Sequence, residues 1–145
     1  MNLPNYLQSS GCDCGPTCVR VVCAALGKKY QAGYLEERLL CTQDEGVEPR
    51  SISAFLRSEG MRVLDGSFRL EDLSHFVKSG APVICLVDIG GGHYVTVGDV
   101  SRGYVRFQDP SSGPQKLQIE AWESVWRCAT YCGNTLSSWG IAVWR

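Results

Sequence analysis

The stretch PVICLVDIGGGHYVTVGDVSRGYVRFQDPSSGPQKLQI, residues 82–119, decides the fold. Its β-branched and aromatic residues fall into four short runs, Val83 to Asp88, His93 to Val100, Tyr104 to Gln108 and Gln115 to Ile119. Turn-forming residues separate them, notably Gly90-Gly91-Gly92 and Asp109-Pro110, so the pattern predicts strands joined as an antiparallel sheet. Upstream the period is helical. After Gly15-Pro16, the residues Cys18, Val19, Val22, Cys23 and Leu26 recur on one face, and Gly27 is placed as a left-handed cap. This predicts a buried helix from Pro16 to Leu26. Further helices are expected around Tyr34 to Leu40, from Pro49 to Gly60 and from Leu70 to Val77, with a brief strand at Met61 to Leu64. Downstream, a short helix over Glu120 to Arg127 and a strand over Ile141 to Trp144 complete the chain. Helices before strands imply an α+β fold in which an N-terminal helical half packs on a C-terminal antiparallel sheet. The sequence holds no repeat and no linker, so residues 1–145 are expected to form one domain.

Composition narrows the function. With 14 basic and 15 acidic side chains the formal charge is -1, and neither sign gathers into a block able to follow a phosphate backbone. Nucleic acid is therefore excluded as an expected partner. The longest apolar run, Pro82 to Val87, is far shorter than the roughly 20 residues that cross a bilayer, which argues against membrane insertion. No basic region followed by a hydrophobic one opens the chain, so the expected location is the cytoplasm. The eight cysteines are then expected to be free thiols rather than a disulfide framework.

Chemistry can be assigned from a few positions. A thiol attacks as thiolate, and the partial positive charge at a helix N-terminus favours that form. Cys14 sits at such a terminus, just before Pro16. A helix end with a nearby imidazolium can bring a thiol from about 8.5 to roughly 3.5–7.5. Of the two histidines, His93 opens a strand behind three glycines, whereas His75 lies among charged neighbours on a helix and reads as an exposed residue. Asp109 closes the next strand and would orient His93 if the strands pair; alternatively it is a turn former before Pro110. Taken singly, a buried cysteine, a strand histidine and a turn aspartate are all common, and nothing in this reading separates Cys14 from its neighbour Cys12.

The run Gln8-Ser-Ser-Gly-Cys-Asp-Cys-Gly-Pro-Thr-Cys18 resembles the catalytic start of the bacteriocin-processing cysteine peptidases, the C-39 or double-glycine-leader family. That family places a glutamine six residues before the nucleophile in an Asp-Cys-Gly setting, a register that selects Cys14. Gly92-His93-Tyr94-Val95, followed by Gln108-Asp109-Pro110 and Gly113, resembles its Gly-His-Tyr-Val and Asp-Pro-x-x-Gly elements, with Asp109 16 positions after His93. Gly46-Val47, Leu70 to Leu73, Pro82-Val83-Ile84 and Trp126 also resemble the family, so the likeness spans nearly the whole chain. The resemblance implies a papain-like fold and a cysteine peptidase with Cys14 as nucleophile, His93 as base and Asp109 as the residue orienting it. It also implies an oxyanion hole formed by the Gln8 amide and the Cys14 N–H. Gly91, Gly92 and Tyr94 are expected to contact substrate, the glycines by leaving room for a peptide backbone.

By the same resemblance the substrate is a peptide or protein, cut after small residues such as a Gly-Gly pair in a leader or tail. A transporter or a substrate-delivering protein would be its partner. Degenerate relatives bind export substrates without cutting them, so a non-catalytic peptide-binding module is the competing reading. No cofactor or metal is expected. A zinc site from Cys12, Cys18, Cys128 and Cys132 is conceivable, but Cys12-x-Cys14 is too tight a spacing and Cys14 is already committed. Cys18, Cys23 and Cys85 fit apolar core positions, and Cys12, two residues from the reactive thiol, is a candidate for a regulatory disulfide. Trp122, Trp126, Trp139, Trp144 and Tyr131 read as core aromatics rather than a peptide groove.

Overall fold

The computed structural model describes residues 1–10, 13–31, 33–39, 46–131 and 133–145. Three helices come first, α1 (Cys14–Ala25), α2 (Tyr34–Arg38) and α3 (Pro49–Ser58), followed by strand β1 (Arg62–Ser67) and helix α4 (Leu70–Lys78). Then come β2 (Val83–Asp88), β3 (Gly92–Ser101), β4 (Tyr104–Asp109), β5 (Gly113–Gln118), helix α5 (Ile119–Trp126), and strands β6 (Ala129–Tyr131), β7 (Asn134–Leu136) and β8 (Trp139–Trp144). Six strands form one antiparallel sheet in the order β1-β8-β2-β3-β4-β5, and β6 pairs with β7 as a separate hairpin. The expected α+β class and sheet half are both present.

The expected pair of layers becomes three. Alternate residues of β2 point to opposite faces of a sheet. Ile84 and Leu86 join Tyr94, Ile141 and Val143 in a core beneath Val19, Val22, Ile52 and Leu56 of α1 and α3. Val83, Cys85 and Val87 join Val95 and Val97 in a second core beneath Leu73, Val77, Trp122 and Trp126 of α4 and α5. A strand covered on both faces must be apolar at every position, and that is why residues 82–87 read as one continuous run. Trp122 and Trp126 are core, as expected, and so are Cys18, Cys23 and Cys85.

Two boundary differences bear on the site. Helix α1 begins at Cys14 rather than Pro16, because the Asp13 carbonyl already accepts the Thr17 N–H at 3.0 Å. The β6–β7 hairpin is absent from the sequence reading; its strands are three residues each and too short to show a period. Strand β3 carries an irregularity between Val97 and Asp99, at Gly98. Such a bulge resets the alternation, so Val95 and Val97 are followed on the second core by Val100.

Candidate active site

Helix α1 delivers Cys14 to the sheet. Its first turn is buried, with Cys14 4% exposed, and Gly15 lets the Tyr94 ring of β3 approach: a Cβ on Gly15 would lie 3.4 Å from two of its ring carbons. Pro16 has no N–H and that of Thr17 is taken by Asp13, so the donors left in the first turn are those of Cys14 and Gly15. Both face the Cys14 sulfur, together with the backbone N–H of Tyr94. Burial and the adjacent Asp13 charge nevertheless outweigh these donors, and the Cys14 thiol is pushed up from its ordinary 9.0. The helix end therefore does not by itself bring the Cys14 thiol below its ordinary value.

His93 precedes Tyr94 and is largely buried, its side chain 13% exposed. Strand pairing brings Asp109 to it. Thr96 stands opposite Gln108, and one step further along that register sets Asp109 against Val95, diagonal to His93 on the same face. His93 Nε2 and Asp109 Oδ1 are 2.7 Å apart. With Nε2 engaged, Nδ1 is the ring nitrogen left for chemistry. The same Oδ1 accepts the Ser111 N–H at 2.8 Å and the Ser111 hydroxyl at 2.7 Å, an Asx turn over Pro110. One oxygen thus makes both the turn and the contact with His93. Burial would raise the Asp109 pKa, but the His93 and Ser111 bonds outweigh it and the carboxyl is held below its ordinary 3.8.

Gln8 approaches from the N-terminal segment. Its N–H donates to the Pro110 carbonyl at 2.7 Å, next to Asp109. Its side-chain Nε2 donates to the Ser10 carbonyl, and Oε1 is buried with no partner among the described residues. The amide is held beside the helix start but engaged elsewhere. Asp13, which sequence reasoning passed over as part of a motif, organises this loop. Its carboxylate accepts the N–H and hydroxyl groups of both Ser9 and Ser10 at 2.9–3.1 Å instead of capping the helix it precedes. Burial opposes its charge, yet those four bonds hold its pKa below 3.8. Acidic N-caps with serines three and four residues upstream are a legible signal for such a loop.

Two of the residues expected to contact substrate pack against other parts of the chain. Tyr94 is fully buried; its hydroxyl donates to the Val47 carbonyl at 2.8 Å and its ring packs 4.9 Å from that of Tyr131. Only its backbone reaches the thiol. At Gly92 a Cβ would meet the Thr130 carbonyl oxygen at 2.1 Å. Its missing side chain lets the β6 backbone approach β3. Gly91, at φ 107 with open space around it, is exposed. His75 is exposed on α4, as expected. Cys12 and Cys132 lie outside the described residues, Cys128 is an exposed free thiol, and among the described residues no three of His, Cys, Asp and Glu converge to hold a metal ion. No described helix is long and apolar enough to cross a membrane.

The arrangement pairs an imidazole with a carboxylate across β3 and β4 and gathers N–H donors at a thiol on α1. Similar folds have been solved. A double-glycine motif protease from an AMS/PCAT transporter, in complex with the leader peptide, superimposes with a TM-score of 0.77 at 16% identity over 98% of this chain and 91% of that one. The peptidase domain of Streptococcus ComA, a bifunctional ABC transporter of a quorum-sensing pathway, gives 0.77 at 20% identity over 97% and 96%. A C39-like peptidase from Bacillus anthracis gives 0.80 at 15% identity over 99% and 95%. These likenesses establish the papain-like α+β fold. No curated protein matches the sequence. The Peptidase C39 family model, however, matches residues 2–132, and the chain belongs to that family of cysteine peptidases.

Proposed function

We propose that residues 1–145 act as one peptidase unit that cleaves a peptide bond after small residues, with Cys14 as nucleophile, His93 as acid and base, and Asp109 as its orienting partner. The observation that carries this reading is the 2.7 Å contact between His93 Nε2 and Asp109 Oδ1, on the strand whose next N–H faces the Cys14 sulfur. The thiol proton passes to His93 Nδ1 as Sγ bonds to the carbonyl carbon. The Cys14 N–H and the Gln8 amide, released from Ser10, donate to the oxyanion. His93 then protonates the departing amine as the C–N bond breaks, leaving a thioester. Water gives one proton back to His93 as its oxygen attacks the thioester, and the thiolate recovers that proton as the acid leaves.

A thiol whose burial disfavours the anion fits an enzyme that forms its thiolate during attack. Selection for Gly-Gly is supported by the double-glycine motif protease among its structural relatives and by the open surface at Gly91. A cytoplasmic site of action beside a transporter is supported by the two relatives that are parts of transporters. The test uses peptides ending in Gly-Gly with an amide-linked aminocoumarin, with and without an upstream leader-like segment. Wild type is expected to release the fluorophore and Cys14→Ala to release none. Unchanged turnover in Cys14→Ala overturns the nucleophile assignment, and binding without turnover in wild type identifies a non-catalytic module instead.

A further inference from the structure

The N-terminal segment over residues 3–10 crosses the β3–β5 part of the sheet as a strap and is fastened at four places. Leu3 fills the notch left by Gly98 at the β3 bulge: a Cβ on Gly98 would lie 2.8 Å from Leu3 Cδ1 and 2.9 Å from Cγ. Asn5 Oδ1 accepts a hydrogen bond from Gln108 Nε2, a side chain only 4% exposed, and lies 3.5 Å from where a Cβ on Gly113 would stand. Gln8 is tied through its N–H to Pro110, and Ser9 and Ser10 are tied to Asp13. The anchors are not scattered. Gln108 and Pro110 flank Asp109, and Asp13 precedes Cys14. The strap therefore takes its place from the same strand end and helix start that carry the proposed catalytic groups.

From this geometry we infer that Asn5, seated on Gln108, and Leu3, seated on Gly98, are positioning residues that set Gln8 beside Cys14. The inference rests on the reading of Gln8 as an oxyanion donor. An exposed segment with one donor at its end would lose alignment if its far end frayed, and small misplacements in such sites cost up to about 100-fold in rate. A buried glutamine amide left without its acceptor adds a reason for the Asn5 contact to be specific.

The test combines variants of the strap with Gln8→Ala, assayed on the Gly-Gly aminocoumarin amide and by iodoacetamide labelling of Cys14. An oxyanion donor acts in the transition state, so Gln8→Ala is expected to lower kcat by about 100- to 1,000-fold. Asn5→Leu and Gly98→Ala are expected to lower kcat by about 10- to 100-fold with KM within about twofold of wild type. Asn5→Asp, which keeps an acceptor oxygen for Gln108, is expected to stay within about twofold of wild type. In the Gln8→Ala background Asn5→Leu should add less than about twofold, because its route of action has been removed. Cys14 labelling should be unchanged in every strap variant. An equal Asn5→Leu effect with and without Gln8, slowed labelling, or no rescue by Asn5→Asp overturns the positioning role. Gln8→Ala with unchanged kcat refutes the oxyanion reading itself and is read from that single variant.

Discussion

Asp109→Asn tests the geometry at its centre, because the structure dictates which way the new amide must face. Asp109 Oδ1 accepts three hydrogen bonds, from His93 Nε2, the Ser111 N–H and the Ser111 hydroxyl, at 2.7, 2.8 and 2.7 Å. An asparagine can keep its carbonyl oxygen at that position or present its NH2 group there. The second choice sets the NH2 against the Ser111 N–H, a donor facing a donor in a site only 4% exposed, which costs about 1–3 kcal/mol. The oxygen should therefore stay, and His93 should keep its proton on Nε2 with Nδ1 free. What is lost is the charge. Hydrogen bonds to charged groups contribute about 1.5–3 kcal/mol and neutral ones about 0.5–1.5, so the imidazolium formed during attack loses roughly 1–1.5 kcal/mol of support. That corresponds to a kcat about 5- to 15-fold lower. Had the amide turned, Nδ1 would carry the proton and the loss would be about 10,000-fold, as when a triad histidine is left in the wrong tautomer. The assay is release of aminocoumarin from the Gly-Gly amide, with Asp109→Ala as a second point expected to fall about 100-fold or more because the ring loses its carboxylate partner. A loss in Asp109→Asn near 10,000-fold, or no loss at all, would refute the claim that Ser111 locks the acceptor toward His93.

Cys14 alkylation by iodoacetamide should rise steadily with pH to a midpoint above 9.0, with no plateau near pH 6; such a plateau would reveal a resting thiolate–imidazolium pair and contradict the burial argument. Gly92→Ala should lower stability by about 1–3 kcal/mol, since the backbone of β6 must retreat from a Cβ 2.1 Å from Thr130 O, and thermal unfolding should show a lower Tm. A Gly91→Ala control, with open space but a φ of 107, isolates backbone strain from crowding. Asp13 and Asp109 both have folded pKa values below 3.8, so each stabilises the fold fully above that value and loses its contribution as pH falls through the folded pKa. Denaturant titrations across that range should therefore show stability falling with acid, and the dependence should weaken in Asp13→Asn; an unaltered profile in that variant would mean the serine bonds do not favour the carboxylate.

What could be read from the chain divides along physical lines. The sheet was legible because β2 is apolar on both faces and β3 to β5 are punctuated by turn residues, and Gly15-Pro16 marked a helix start near two cysteines, between which only the spacing from Gln8 chose Cys14. The pairing of His93 with Asp109 followed from two adjacent strands of the right length. Coverage of the second sheet face was harder to see, because the continuous Pro82–Val87 run is equally compatible with one or two helical layers until α4 and α5 are placed. The packing around Gly92 was not legible. Sequence shows that a glycine permits close approach, but what approaches depends on Thr130, 38 positions away in a hairpin with no periodic signal.

The electrostatics at Cys14 also depend on tertiary placement rather than on motif. A helix N-terminus lowers a thiol pKa only when its field outweighs the loss of water, and here α1 is buried from its first residue with the Asp13 charge beside it. That carboxylate fastens Ser9 and Ser10, and through them the segment that carries Gln8. One residue thus opposes the resting thiolate while it orders the loop that carries Gln8. On the proposed mechanism Asp13 disfavours a standing negative charge on sulfur, while the charge that develops moves to the carbonyl oxygen, toward the Cys14 N–H and a Gln8 amide that first leaves the Ser10 carbonyl.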